Sequence, residues 1–202
     1  ARHWLDPAVR DATVAVAERL AALGHDVVAE EPRYGLIGLT FVPRSMAGIR
    51  DWAGRVPDRA LLDARTKVNV RGGLLLGGGV LRVARAAEEP LRRRVGEIFD
   101  RFDVVLTPST AVPPLRTGEL SHLSSRHTDA AMIAACPYSW PWNVLGWPGM
   151  NVPAGFTEEG LPLGAQLLGP ADSEPLLVSL AAQLEDDQRW FERWPEGVGV
   201  AA

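Results

Sequence analysis

The opening of the chain sets the strongest constraint, because it begins with a helix where a layered α/β fold needs a strand first. Asp6 and Pro7 form a helix start. The Asp carboxylate accepts from the free amides of a first turn, and Pro tolerates the first helical position. Val9, Val16, Leu20 and Leu23 then recur on one face at helical spacing. Gly24 supplies a left-handed cap, and His25–Ala29 reads as a short strand. An αβ unit in an open sheet carries a strand ahead of its helix as well. That strand is expected upstream of Ala1, so the sequence reads as entering in the middle of a fold.

The elements that follow are uneven in clarity. Ser45–Ala53 and Ala60–Val70 read as short helices, and Leu74–Leu76, between glycine pairs, as a buried turn of either type. From Leu81 to Phe102 the stripe Leu91, Val95, Ile98 and Phe102 marks helix, which Pro90 kinks or divides. Asp103–Thr107 is expected as a buried strand ended by Pro108. Residues 108–147, rich in Pro, Ser and Trp, read as a long excursion with Thr128–Ala135 as a helix inside it. Gly149–Pro153 and Gly164–Leu168 read as strands, with Gly160-Leu161-Pro162 at a turn between them. Pro148 and Pro153 bracket the first of these strands. Gln166 shares a face with Leu168 and, in a buried strand, needs hydrogen-bond partners such as backbone groups of a neighbouring loop. Asp172 or Ser173 caps a last helix with Leu177, Leu180 and Leu184 on one face, and the tail from Trp194 is expected to fray.

Composition excludes several classes. The 202 residues are 47% hydrophobic and 23% charged, with a net charge of −4, so no overall field draws the chain to nucleic acid or an anionic membrane. The charge is uneven: residues 44–101 hold thirteen Lys/Arg against seven Asp/Glu, and residues 157–202 hold two against nine. Two solvated faces lying near each other are expected, with a basic patch for an acidic ligand as the rival reading. The single cysteine, Cys136, excludes an intrachain disulfide and fits a cytoplasmic setting. No apolar run reaches the roughly 18 residues of a spanning helix, and no signal peptide is visible. Heavy use of Ala and Arg beside one Lys suggests a GC-rich bacterial gene.

Four segments in order carry a resemblance. They are Asp103-Val104-Val105-Leu106-Thr107-Pro108, Trp142-Asn143-Val144-Leu145-Gly146-Trp147-Pro148, Asn151-Val152-Pro153-Ala154-Gly155-Phe156, and Gly160-Leu161-Pro162-Leu163-Gly164-Ala165-Gln166-Leu167-Leu168-Gly169. Together with Glu174, Leu176-Leu177 and the opening helix, they resemble the amidase-signature family, with 32–80 the weakest match. The resemblance implies an α/β fold, part of a large mixed β-sheet wrapped by helices, of which residues 1–202 form a single C-terminal portion. It implies a hydrolase of carboxamide C–N bonds with a small-molecule amide substrate and no cofactor. The family uses a Ser nucleophile, a bridging second Ser and a Lys, near a Gly/Ser-rich stretch whose amides hold the oxyanion.

That set is missing from the residues themselves. The one adjacent Ser pair, Ser124-Ser125, has no Gly beside it, and the one lysine, Lys67, lies in a segment unlike the family's. No catalytic residue is therefore assigned, and the triad is expected from an N-terminal half of the same fold, in the same polypeptide or a separate chain. Cys136 with His122 or His127 is a remote nucleophile alternative, and a metal site at His122 and His127 would want a third ligand such as Asp129, so no metal is assigned. Gly77-Gly78-Gly79 is not followed by Lys-Ser or Lys-Thr and forms no phosphate loop. Arg92-Arg93-Arg94, near Glu88 and Glu97, reads as a solvated helix face.

Trp140, Trp142 and Trp147 fall within eight residues among three prolines, beside Asn143. They read either as core under a long loop or as the apolar wall of a substrate cleft. These four are the substrate-pocket candidates. A non-catalytic subunit or binding module that keeps the scaffold is the alternative function. Such a module should cover its own sheet edges and apolar faces.

Overall fold

The computed structural model describes residues 4–192. Helix α1 (Pro7–Ala22) starts where the sequence places it: the Asp6 carboxylate accepts from the Ala8 amide at 2.8 Å, and Gly24 takes φ +97° past its end. Val9, Val16 and Leu20 are buried, whereas Leu23 at the cap is exposed. Residues 25–29 are not a strand. They pair with no ladder among the described residues, and Val27 and Val28 are exposed. A strand exists only through its partner, and the composition of this segment supplies none.

Helix α2 (Ile37–Ala53) begins eight residues earlier than its periodicity suggests and carries Pro43 inside. A short 3-10 turn, Arg59–Leu61, leads to α3 (Ala64–Leu75), whose start Asp63 caps with bonds to the Arg65 and Thr66 amides. Leu74 and Leu75 end that helix exposed, not in a buried turn. Helices α4 (Gly78–Ala86) and α5 (Glu88–Gly96) divide at Ala87. Pro90 sits in the first turn of α5, where no amide bond is lost. A 3-10 turn, Glu97–Asp100, completes this stretch.

The sheet has three strands: β1 (Val105–Pro108), β2 (Gly149–Phe156) and β3 (Pro162–Leu168), in the order β1-β3-β2, with both neighbours antiparallel to β3. Pro153 does not end β2. The strand passes through it with a bulge between Pro153 and Gly155, and Gly155 takes φ +112°. A strand paired on one side tolerates proline at such a bulge. Between β1 and β2 lie α6 (Ser125–Ala135) and α7 (Trp140–Leu145), and α8 (Glu174–Gln188) follows β3. Ser173 precedes α8 without capping it; its hydroxyl donates to the Pro170 carbonyl at 2.7 Å. The tail from Trp194 lies outside the described residues.

Strand β3 is central and buried on both faces. Ala165 and Leu167 join Val16, Leu20, Leu177, Leu180 and Leu184 in a core under α1 and α8. Leu168 points the other way, into a second core with Ile37, Leu91, Val95, Trp142, Val144 and Leu145. This period-two alternation makes β3 the floor of two layers. Helices therefore cover an antiparallel sheet on both sides, which is the expected α/β arrangement. Among the described residues no ion pair joins the basic stretch 44–101 to the acidic residues after 157.

Candidate substrate wall

Helix α7 carries three of the four sequence candidates, and its position is fixed from both ends. Proline at its second position fits a first turn, and Gly146 closes it with φ +68°. Arg92 Nε donates to the terminal carbonyl of Leu145 at 2.8 Å. Glu88 holds Arg92 at 3.1 Å and Arg44 at 2.9 Å, so one carboxylate ties α2, α5 and the end of α7 together. Arg92 is thus a structural cap rather than part of a free solvated face.

The aromatic residues divide by depth. Trp142 is 2% exposed and packs edge-on against Tyr34 and Phe99, with ring centroids at 6.5 and 5.9 Å. Trp147 lies 5.8 Å from Trp142 and 5.7 Å from Phe99. Trp140 is half-buried, 5.2 Å from Phe41 of α2, and Asn143, the residue after Trp142, is exposed. The indole nitrogen of Trp140 is buried with no hydrogen-bond partner among the described residues, whereas that of Trp142 lies beside the Tyr34 hydroxyl. Burial pushes the Tyr34 and Tyr138 phenols up, so both remain neutral donors.

Next to α7, a polar network closes the end of the sheet. Gln166 Nε2 donates to Thr107 Oγ1 at 3.0 Å and to the Tyr138 carbonyl at 2.8 Å. Ser139 Oγ donates to the Ser109 carbonyl at 3.1 Å and lies 3.4 Å from Gln166 Oε1. Ser109 Oγ donates to Asn151 Oδ1 at 2.8 Å. The buried Gln thus finds the loop carbonyl its position demands. Ser109 and Ser139 carry no sequence signal of their own; the network follows from the register that sets Thr107 and Asn151 on either side of Gln166.

The remaining candidates serve structure. Lys67 Nζ donates to the Ala60 carbonyl at 3.2 Å on the surface. Ser124 caps α6 and engages His127 Nδ1 at 2.8 Å. Cys136 is a half-buried free thiol, and no hydrogen bond joins it to His122 or His127 among the described residues. No three side chains among the described residues are grouped to hold a metal ion, and no helix there is long and apolar enough to cross a membrane. Backbone donors, a buried amide and apolar rings can position and desolvate an amide, but they supply no nucleophile.

Comparison with known proteins places the chain in a family. The Amidase family model matches residues 2–178. The AmiA2 protein of Mycobacterium tuberculosis (strain ATCC 25618 / H37Rv) is 51% identical over 196 residues, covering 96% of this chain and 40% of AmiA2. The AmiB2 protein of the same strain is 38% identical over 179 residues, covering 87% of this chain and 38% of AmiB2. Among solved structures, 6-aminohexanoate cyclic dimer hydrolase superposes with a TM-score of 0.74 at 25% identity, over 95% of this chain and 44% of that one. The chain spans about 40% of the length of the first curated relatives it matches. By family match and by fold, this chain belongs to the amidase family.

Proposed function

We propose that this chain is the C-terminal portion of an amidase that hydrolyses a carboxamide C–N bond through an acyl-enzyme. In this reading a Ser–Ser–Lys set comes from the rest of the domain, and residues 1–202 supply sheet strands and the wall against which the amide lies. The observation that carries it is one conjunction: the family match runs from residue 2 to 178, yet the chain holds one lysine and one adjacent serine pair, outside any Gly/Ser-rich stretch. Trp140 and Asn143 are the residues proposed to face substrate, backed by Trp142 and Trp147. The unpaired buried indole N–H of Trp140 supports this, because it costs free energy until an acceptor arrives. A bacterial, cytoplasmic protein with no cofactor completes the reading.

The rival binding module fits less well. It should hide its apolar surface, whereas Leu36, Leu39, Leu61, Leu75 and Val83 are each more than two-thirds exposed. The test is an amide-hydrolysis assay on this chain alone and together with the portion of AmiA2 outside the match. Turnover only in the combination supports the proposal. Turnover, or a stable acyl adduct, on the isolated chain overturns it.

A further inference from the structure

Helices α2, α4 and α5 enclose an open groove of about 1000 Å³. Leu36, Leu39, Val80 and Val83 line it, and Ala84 and Leu91 are buried beneath. Leu36, Leu39 and Val83 are each 72% exposed, so the groove presents large side chains to water where a helix face should present polar ones. Arg93, Arg94 and Glu97 stand at one end. Arg93 pairs with Glu89 and Glu97 with Arg33, whereas Arg94 enters no ion pair among the described residues.

We infer that this groove seats an apolar helix from the remaining part of the amidase domain, which brings an acidic residue to Arg94; the inference rests on the amidase reading above. Three observations favour that occupant. The match to AmiA2 leaves 60% of that protein outside it, enough chain to carry such a helix. The groove joins a broad apolar lining to one unpaired cation, Arg94, which a helix carrying a carboxylate complements, whereas a second copy presents the same apolar lining with Glu89 and Glu97 already paired. Helix α2 is also shared: Phe41 packs on Trp140 while Leu36, Leu39 and Pro43 line the groove. A part of the domain that delivers a nucleophile to the Trp140 wall therefore passes beside α2. A groove between helices receives a helix by ordinary side-chain interlocking.

The experiment mixes the 202-residue chain with the portion of AmiA2 outside the match and measures affinity and stoichiometry. A one-to-one complex is expected. Leu39→Glu and Val83→Glu should each weaken it by roughly thirtyfold or more, as loss of a central apolar anchor does. Both positions are so exposed that the thermal midpoint of the chain alone should stay put. Arg94→Glu should weaken the complex as well. Binding indifferent to Leu39→Glu and Val83→Glu overturns the inference and leaves the amidase reading standing. No complex with the unchanged chain overturns both. Self-association of the chain that Leu39→Glu abolishes overturns the inference in favour of a second copy.

Discussion

Gln166 and Thr107 face each other across β3 and β1, and the Gln166 amide donates to the Thr107 hydroxyl at 3.0 Å while its second hydrogen reaches the Tyr138 carbonyl at 2.8 Å. One side chain therefore joins two strands to the loop that leads into α7. Replacing it with leucine keeps apolar bulk but strands the Tyr138 carbonyl. An unsatisfied buried acceptor costs about 1–3 kcal/mol. Gln166→Leu should lower the urea midpoint accordingly with the slope unchanged. Gln166→Glu should cost more, since a carboxylate has no hydrogen to give either acceptor. A midpoint unmoved by both would show the network to be decorative.

Trp142 and Asn143 are neighbours with opposite surroundings, and substitution should separate core from wall. Trp142→Ala removes a ring packed on Tyr34, Phe99 and Trp147 and should destabilise by about 3–5 kcal/mol. Asn143→Ala lies on the surface and should change stability by no more than about 0.5 kcal/mol. In the completed enzyme, a fall in kcat/KM with Asn143→Ala at unchanged stability would mark contact with substrate. Unchanged kinetics would remove Asn143 from the wall.

Sequence patterning revealed the sheet better than the helices around α7. Gly149 marks the start of β2 and Leu168 the end of β3 as expected, although β2 runs on through Pro153 to Phe156 and β3 starts at Pro162, and Gln166 announces its own need for partners. Helix α7 was hidden because Pro137, Pro141 and Pro148 read as loop, although Pro141 sits in a first turn that tolerates it. Helix α2 reads as starting only at Ser45, whereas the structure starts it at Ile37 and carries it through a buried Pro43. Residues 25–29 have strand composition, but pairing is a property of two segments. Depth was illegible for the tryptophans: spacing cannot tell Trp142, sealed between α2 and α5, from Trp140 at its margin.

Arg19 on α1 and Asp187 on α8 form an ion pair that ties the two helices covering one face of the sheet. The Arg19 hydrogen bond holds the Asp187 carboxyl below its ordinary value. A depressed carboxylate contributes stability above its unfolded pKa of about 3.9. That contribution disappears as pH falls through the lower folded value. Arg19→Gln should therefore reduce stability at pH 7 and leave it nearly unchanged once the pH is below the lowered folded value, which denaturant midpoints along a falling pH series would read. An equal loss across the series would assign the effect to packing of the Arg19 stem instead.

Gly73 is where α3 meets α2 backbone to backbone. A Cβ there would stand 2.3 Å from the Met46 carbonyl oxygen and 2.9 Å from Arg50 Cβ, and the carbonyl cannot retreat without moving α2. Arg50 Nη1 also donates to the Gly73 carbonyl at 3.2 Å, so the same crossing carries a hydrogen bond. Gly73→Ala should force the helices apart and cost about 1–3 kcal/mol, the usual range for overpacking. Gly79, in α4, is the contrast: a Cβ there meets nothing within 4 Å, and its backbone suits any residue. Gly79→Ala should stabilise by about 0.4–1 kcal/mol, through lost freedom of the unfolded chain. Thermal midpoints moving in opposite directions would confirm that contact, and not helix propensity, dictates glycine at 73. Two upward shifts would mean that α3 slides along α2 at little cost.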